Sequence, residues 1–184
     1  MNINGSIHSN SNVEANCSII TVDGDCSTVA GAQFNTWQTI IGNVPITPGF
    51  IQLPDILSVI KSRLEGSTPE LENAWISGYN NEYGIHGENV NINSDIFSSQ
   101  TIVIDPNYCN AATKDEGIII CSEGDIIIRG TDVDVKGIIY APNGTVRIES
   151  SDFNIQGRII AKNIVFSGSV FTAEAYDGDL SLLN

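Results

Sequence analysis

The chain has 184 residues, a length that suits one domain, and its 41% hydrophobic against 16% charged residues exclude a disordered polymer. The 8 Lys and Arg residues against 22 Asp and Glu residues give a formal net charge of −14, which excludes a nucleic-acid partner because phosphate binding depends on basic patches. No apolar run reaches the ~18 residues of a transmembrane helix. No export signal is visible either, so we expect one to lie outside this segment.

The N-terminal region contains two similar short segments in which apolar and polar residues alternate. They are Ile3-Asn4-Gly5-Ser6-Ile7-His8-Ser9 and Ile20-Thr21-Val22-Asp23-Gly24-Asp25-Cys26, and their glycines are 19 positions apart (24 − 5). Alternation with period 2 is typical of a strand with one buried face. We therefore predict that these segments form the first two turns, or rungs, of a repeated structure.

Residues 29–89 interrupt the repeat and are predicted to form a helical and loop insertion between the second and third rungs. A helix is predicted from Pro54 to Leu64, because proline suits the first helical turn and the apolar residues share one face. That apolar face consists of Ile56, Leu57, Ile60 and Leu64. A second short helix is predicted from Thr68 to Ile76, with the threonine as its cap.

The repeat returns at Val90 and is clearest in three segments that begin with glycine. They are Gly117-Ile-Ile-Ile-Cys-Ser-Glu-Gly124, Gly137-Ile-Ile-Tyr-Ala-Pro-Asn-Gly144 and Gly157-Arg-Ile-Ile-Ala-Lys162, which start 20 residues apart (137 − 117 and 157 − 137). Strands this short bury an apolar face only when copies stack on one another. The sequence therefore predicts a mainly β protein, a single-stranded parallel β-helix of about six rungs that forms one domain over residues 1–184. The helical insertion is predicted to pack along one face, and a right-handed coil is expected from the preference of parallel crossover connections.

Aligning the copies assigns side chains to columns along the stack. Three isoleucines, Ile119, Ile139 and Ile159, are predicted to form one interior column. A tight corner requires small residues, and the equivalent positions hold Ser9, Thr28, Ser98, Cys121, Ala141 and Ala161. An outward polar column is predicted to contain Asn2, Thr21, Asn91, Asp134 and Asn154.

An outward apolar column is predicted to be the seat of the helix. Its members are Phe97, Ile120, Tyr140 and Ile160, with Ile118 and Ile138 two residues earlier on the same face. An exposed apolar stripe needs a cover, and the chain supplies an amphipathic helix of its own. Trp37 and Trp75 are assigned to the same seam.

The cysteines and acidic residues were considered as disulfide and metal sites. The four possible disulfide cysteines lack a Cys-x-x-Cys zinc motif and allow three pairings, with free buried thiols as the alternative: Cys17, Cys26, Cys109 and Cys121. Cys121 is assigned first to the small interior column. Glu174, Asp177 and Asp179 are weak calcium candidates, because they fall short of the ligand count of an EF-hand loop. No other cofactor is expected.

No catalytic centre is predicted, and the chain is not expected to be an enzyme. Arg129 is level with Glu149 one rung away, so a salt bridge accounts for both residues. The other candidate acids are Asp132, Asp134 and Asp152. No histidine or arginine is concentrated around them, as acid–base catalysis would require. The two histidines, His8 and His86, lie outside any recognisable Ser–His–Asp motif.

The run from Gly137 to Ile148, followed by Phe153-Asn-Ile-Gln-Gly-Arg-Ile-Ile-Ala-Lys162, resembles a motif of bacterial cell-surface and pilus-associated parallel β-helix modules. The opening Ile3-Asn-Gly-Ser-Ile-His-Ser-Asn10 is similar to the first rung of such modules. The chain is more distantly similar to bactofilin-type polymer-forming proteins and to ice-binding β-helices that carry a helix along one side. It lacks the threonine column of the latter. The resemblance covers mainly residues 1–30 and 117–170.

The resemblance implies an extracellular or cell-surface module with a structural, adhesion or assembly role. The expected partners are other surface or pilus proteins, or further copies bound through the solenoid ends, with no nucleic acid and no membrane insertion by this segment. The alternative is a carbohydrate-binding or polysaccharide-active β-helix. That alternative predicts an open outer groove lined with carboxylates and exposed aromatic residues.

Overall fold

The computed structural model describes residues 2–4, 7–9, 11–16, 19–22, 26–28, 31–35, 38–41, 56–112 and 116–175. The N-terminal strands are β1 (Asn2–Asn4), β2 (Ile7–Ser9), β3 (Asn12–Asn16), β4 (Ile19–Val22), β5 (Cys26–Thr28), β6 (Gly31–Asn35) and β7 (Gln38–Ile41). They are followed by the helix α1 (Leu57–Leu64). The remaining strands are β8 (Leu71–Tyr79), β9 (Glu82–Ile92), β10 (Ile96–Ser98), β11 (Thr101–Pro106), β12 (Tyr108–Ala111), β13 (Ile118–Ser122), β14 (Ile126–Ile128), β15 (Asp132–Ile148), β16 (Asp152–Phe166) and β17 (Val170–Glu174).

The chain winds into a parallel β-solenoid, which confirms the predicted fold class. Four successive turns cover residues 90–166, and each turn crosses three faces, named A, B and C here. Neighbouring turns pair in parallel on every face. Face A contains residues 90–92, 108–111, 132–136 and 152–156, face B contains 96–98, 118–122, 137–141 and 157–161, and face C contains 101–106, 126–128, 145–148 and 163–166. This continuous series is shorter than the predicted six rungs, because the N-terminal strands join the stack elsewhere.

Inward side chains align in columns, but one turn is shifted from the predicted register. The interior column on face B consists of Ile96, Ile120, Ile139 and Ile159. The prediction for Ile119 is wrong by one residue, since Ile119 pairs with Ile138 on the outer side. Gly137 pairs with Ile118 and not with Gly117, so this turn spans 19 residues (137 − 118) and the next spans 20 (157 − 137).

The glycines that mark the repeat are required by close approach of neighbouring backbones. Gly137 has a φ of 132°, in the region that favours glycine, and a Cβ there would overlap the carbonyl oxygen of Ile118. Gly157 pairs with Gly137, and its Cβ would overlap the Gly137 carbonyl oxygen in the same way. These positions keep their glycines for a steric reason, which made the repeat visible in the sequence.

The corner of small residues is confirmed, with Ser122 in place of Cys121 because of the same shift. Its buried members are Ser9, Thr28, Ser98, Ser122, Ala141 and Ala161. The hydroxyl groups are satisfied by the backbone, as buried polar groups must be. Ser122 Oγ donates a hydrogen bond to the Gln100 carbonyl at 2.8 Å and accepts one from the Gly124 N–H at 2.9 Å.

The helix packs on the outer side of face B, as predicted. Ile60 is fully buried there against Ile119, Cys121, Ile138 and Tyr140. Around this cluster lie Ile56, Leu57, Leu64, Phe97 and Ile160. Ile118 and Ile120, which were assigned to this outer column, belong to the interior because of the one-residue shift.

The N-terminal strands do not precede the third rung in space, contrary to prediction. Strand β1 pairs with β17, and β3 pairs with β16, so the N-terminal coil stacks on the end where the repeat finishes. Strands β4, β6 and β7 extend the stack outward from there. A repeat reveals which residues are equivalent, but it does not reveal which turns are neighbours. The predicted cover of this end by residues 180–183 lies outside the described residues.

A β-hairpin replaces the second predicted helix. Strand β8 pairs antiparallel with β9, and their turn residues Asn80 and Asn81 have φ of 52° and 64°, as a type I′ turn requires. The aromatic and β-branched residues of β8 favour a strand over a helix. Residues 31–35, 38–41, 71–79 and 82–89, all within the predicted insertion 29–89, are therefore strands. The hairpin covers the opposite end of the stack from the N-terminal coil.

Candidate functional site

The outer surface of face A carries the predicted polar column. Its registered members are Asn91, Asn110, Asp134, Asn154, Thr172, Asn2 and Thr21. Asn154 Nδ2 donates a hydrogen bond to Asp134 Oδ1 at 2.9 Å, so adjacent turns are linked through side chains. The sequence prediction of this column is confirmed, with Asn110 and Thr172 as added members.

An open groove lies along this column where face A meets the hairpin. Its volume is about 280 Å³, and Tyr108, 48% exposed, stands at its side. The polar groups that line it are Asn73, Asn89, Asn91, Asn110, Asp132 and Asp134. A second hollow of about the same volume continues past Asp134 towards Lys136 and Gln156. Amide donors and acceptors, carboxylates and an exposed ring are groups that can hydrogen-bond and pack against a hydroxyl-rich ligand.

A second cluster, on the outer side of the hairpin, was not foreseen. The Trp75 and His86 rings stack with centroids 4.3 Å apart, and Ser77 Oγ lies 2.9 Å from His86 Nε2. Gly84 provides the space, because a Cβ there would overlap both Ser77 Oγ and the imidazole. Trp75 is 59% exposed and stands away from the helix, so its assignment to the helix seam is wrong. Trp37 lies outside the described residues.

The sequence contains a signal for this cluster. Period-2 alternation on either side of Asn80-Asn81 is typical of a hairpin with a two-residue turn. In such a hairpin Trp75 faces His86 across the strands, as observed.

The predicted salt bridge between turns is confirmed. Arg129 Nε lies 3.0 Å from Glu149 Oε2, and Arg147 Nε lies 3.7 Å from Glu149 Oε1. The hydrogen bond to Glu149 is the main reason why the pKa of Arg129 is raised. These side chains are partly exposed, so the pairs contribute little stability. They tie face C together across turns.

Cys109 and Cys121 are both free thiols on different sides of the sheet wall. Cys109 lies in the solenoid interior, whereas Cys121 lies under the helix. Burial raises the pKa of each thiol to about 12, with smaller contributions from Asp134 and Glu123 respectively. Both thiols are therefore un-ionised at neutral pH and poor nucleophiles. The side chain of Cys26 and the whole of Cys17 lie outside the described structure, and their disulfide stays a prediction.

The calcium prediction also stays a prediction. Glu174 is exposed at the end of β17, level with Gln156 and Asn4, whereas Asp177 and Asp179 lie outside the described residues. In the described ranges no three His, Cys, Asp or Glu side chains converge as metal ligands would.

These features define a β-solenoid with an amide-rich groove and an exposed aromatic hairpin. Comparisons with family models, with curated proteins and with solved structures find no match for this chain. Among the residues that the structure describes, no helix has the length and hydrophobicity of a membrane span.

Proposed function

We propose that the chain is a non-catalytic structural module for adhesion or assembly, exposed on the outside of a bacterium as part of a surface protein or pilus. The observation that carries this proposal is the exposed apolar strand at one end of the stack. Trp75, Ile76 and Tyr79 on β8 are 59%, 46% and 74% exposed. Apolar side chains grouped on an open strand edge are typical of a surface that binds another chain.

The use of the charged and polar groups supports a structural role. Glu149 binds two arginines, and Asp134 binds Asn154 of the next turn. Lys61 of the helix lies 2.8 Å from Glu123, which anchors the helix to face B and, through this hydrogen bond, raises the pKa of Lys61. These groups link neighbouring elements of the fold, so the module needs no cofactor.

The surface location is tested on the bacterium that makes the protein. We expect an antibody against the folded module to label intact cells, and external protease to remove the signal without lysis. A cytoplasmic protein of the same cells serves as the control that must stay protected. A signal that appears only after lysis would contradict the proposal.

A second candidate function, carbohydrate binding, is favoured by the groove on face A. It has the carboxylates Asp132 and Asp134 and the exposed ring of Tyr108 that this function requires. We expect a glycan array to give at least one ligand whose binding Tyr108→Ala weakens by about tenfold, the loss of a contact worth ~1.4 kcal/mol. Tyr79→Ala, an exposed tyrosine outside the lining of this groove, is the matched control. A silent array removes this candidate.

A further inference from the structure

Strand β8 ends the sheet at the hairpin end of the stack. In the part of the chain that the structure describes, β8 pairs with β9 alone, so its other edge presents backbone groups to solvent. Native proteins protect such edges with charges, prolines, bulges or covering segments. Residues 74–79 of β8 contain no charge and no proline, and the bulge lies before them, at Asn73. The open edge is suited to adding another strand.

The charge distribution indicates which strand can approach. Residues 73–81 contain no charged residue, although the chain has a net charge of −14. Two copies therefore repel over most of their surfaces, and repulsion is least along this stretch. Glu72, at its border, lies 3.2 Å from Asn91 Nδ2 of its own copy, where it points away from the open edge.

Two-fold symmetry restricts the register of such a pair. In an antiparallel pair directly opposite residues share one face of the sheet, so the two-fold axis must pass through a residue. With the axis at Ser77, Trp75 of each copy lies opposite Tyr79 of the other, and Ile76 lies opposite Gly78. The first pairing is aromatic on aromatic, a favourable cross-strand combination. The second places a large side chain over free space, since a Cβ at Gly78 would meet no atom within 4 Å.

The axis at Ser77 also avoids the irregular part of β8. The paired stretch is then residues 74–80, beyond the left-handed Asn73 at φ 57°. Trp75 is already held by His86, so its ring loses little freedom on association.

We propose that two copies of this chain associate through antiparallel pairing of their β8 strands, with Ser77 opposite Ser77. The inference rests on the assembly role proposed above, since it names the partner for the exposed strand. The two solenoids then extend from a continuous sheet on either side of the two-fold axis. The pairing is closed, so it yields dimers and not fibres.

Sedimentation velocity over a concentration series tests the dimer. We expect a monomer–dimer equilibrium, and Ile76→Lys should weaken it by at least about tenfold, because a lysine at the edge must be desolvated against the second strand. Val170→Lys is the matched control, since Val170 is 47% exposed on β17, away from the hairpin, and this variant should dimerise like the wild type. Circular dichroism confirms that both variants fold. A strict monomer, or a dimer that Ile76→Lys leaves unchanged, overturns the proposal.

Cross-linking under mild oxidation tests the register. Ser77→Cys should form a disulfide-linked dimer, whereas Tyr79→Cys should not, because the two Tyr79 positions lie about 13 Å apart along the strands. The reverse result, or no cross-link at either position, overturns the register and the symmetric pairing with it. A monomer here leaves the cell-surface labelling experiment untouched, so the two proposals fail separately.

Discussion

Side-chain caps at the corners of the solenoid satisfy backbone groups that the ladders leave unpaired. Asp95 Oδ1 accepts a hydrogen bond from the Ile119 N–H at 2.7 Å, and Asp125 Oδ1 accepts one from the Thr145 N–H at 2.7 Å. Each carboxylate reaches the next turn, so it fixes the register between turns. Burial raises the pKa of the Asp95 carboxyl above its usual value, Glu116 adds to the rise, and the Ile119 hydrogen bond opposes it.

The raised pKa of Asp95 predicts a pH-dependent cost to the native state. Between the unfolded and folded pKa values the native protein binds the proton more tightly, so stability falls as the pH rises through this window. Asp95→Asn keeps the acceptor and removes the charge, and we expect it to be more stable than the wild type at pH 7, with the difference vanishing as the pH falls below the folded pKa. Urea unfolding at several pH values measures this.

Asp95→Ala is the control for the hydrogen bond. It leaves the Ile119 N–H without its acceptor and should cost about 1–3 kcal/mol at any pH. A gain in stability from Asp95→Asn that stays constant down to acidic pH would show that the carboxyl charge is not its cause.

At the scale of single elements, the helix acts as a lid over the outer side of face B. Its eight residues are too few for a stable isolated helix, so it depends on the apolar surface beneath it. Ile60 is the fully buried contact, and Cys121 lies in the same cluster. This arrangement makes the Cys121 thiol a reporter of helix docking.

Truncation of Ile60 should loosen the helix without unfolding the solenoid. We expect Ile60→Ala to cost about 2–5 kcal/mol, because a fully buried side chain is lost. Site-resolved maleimide labelling should show faster modification of Cys121, whereas Cys109 in the interior stays protected. Val59→Ala, at a position that is 40% exposed, should change stability by no more than about 0.5 kcal/mol. Equal acceleration at both cysteines would mean that the helix does not cover Cys121 independently.

The sequence predicts well those features that depend on local pattern. The repeat, the polar column of Asn91, Asp134 and Asn154, and the seat of the helix all follow from alternation and spacing. The one-residue shift at Ile119 does not, because turn length varies where glycine spacing stays at 20. The hairpin cluster was missed because Thr68 and Pro69 also match a helix start, and tertiary pairing with β9 decided between the two structures.

At the scale of the whole molecule, the two parts of the repeat meet at an unexpected place. Strand β1 pairs with both β17 and β4, so the first and last described strands of the chain lie side by side within the stack. The pairing protects the edge that β17 would otherwise expose. It leaves β8 as an open edge at the hairpin end, where the proposed dimer forms.

This winding order is the central claim, because the location of the open edge depends on it. Glu14 and Val165 are partners on adjacent strands and both face outward. Cysteines placed at these two positions are within reach of a disulfide, whereas Ile127, in the same column, is three strands from Glu14, at about 14 Å.

The most direct measurement is therefore oxidative cross-linking of two double variants, with the bond mapped by mass spectrometry. Glu14→Cys with Val165→Cys should form an intramolecular disulfide in the folded monomer, and Glu14→Cys with Ile127→Cys should not. If the first pair fails to cross-link while the protein is folded, the N-terminal coil does not stack on the C-terminal turn and the account is contradicted.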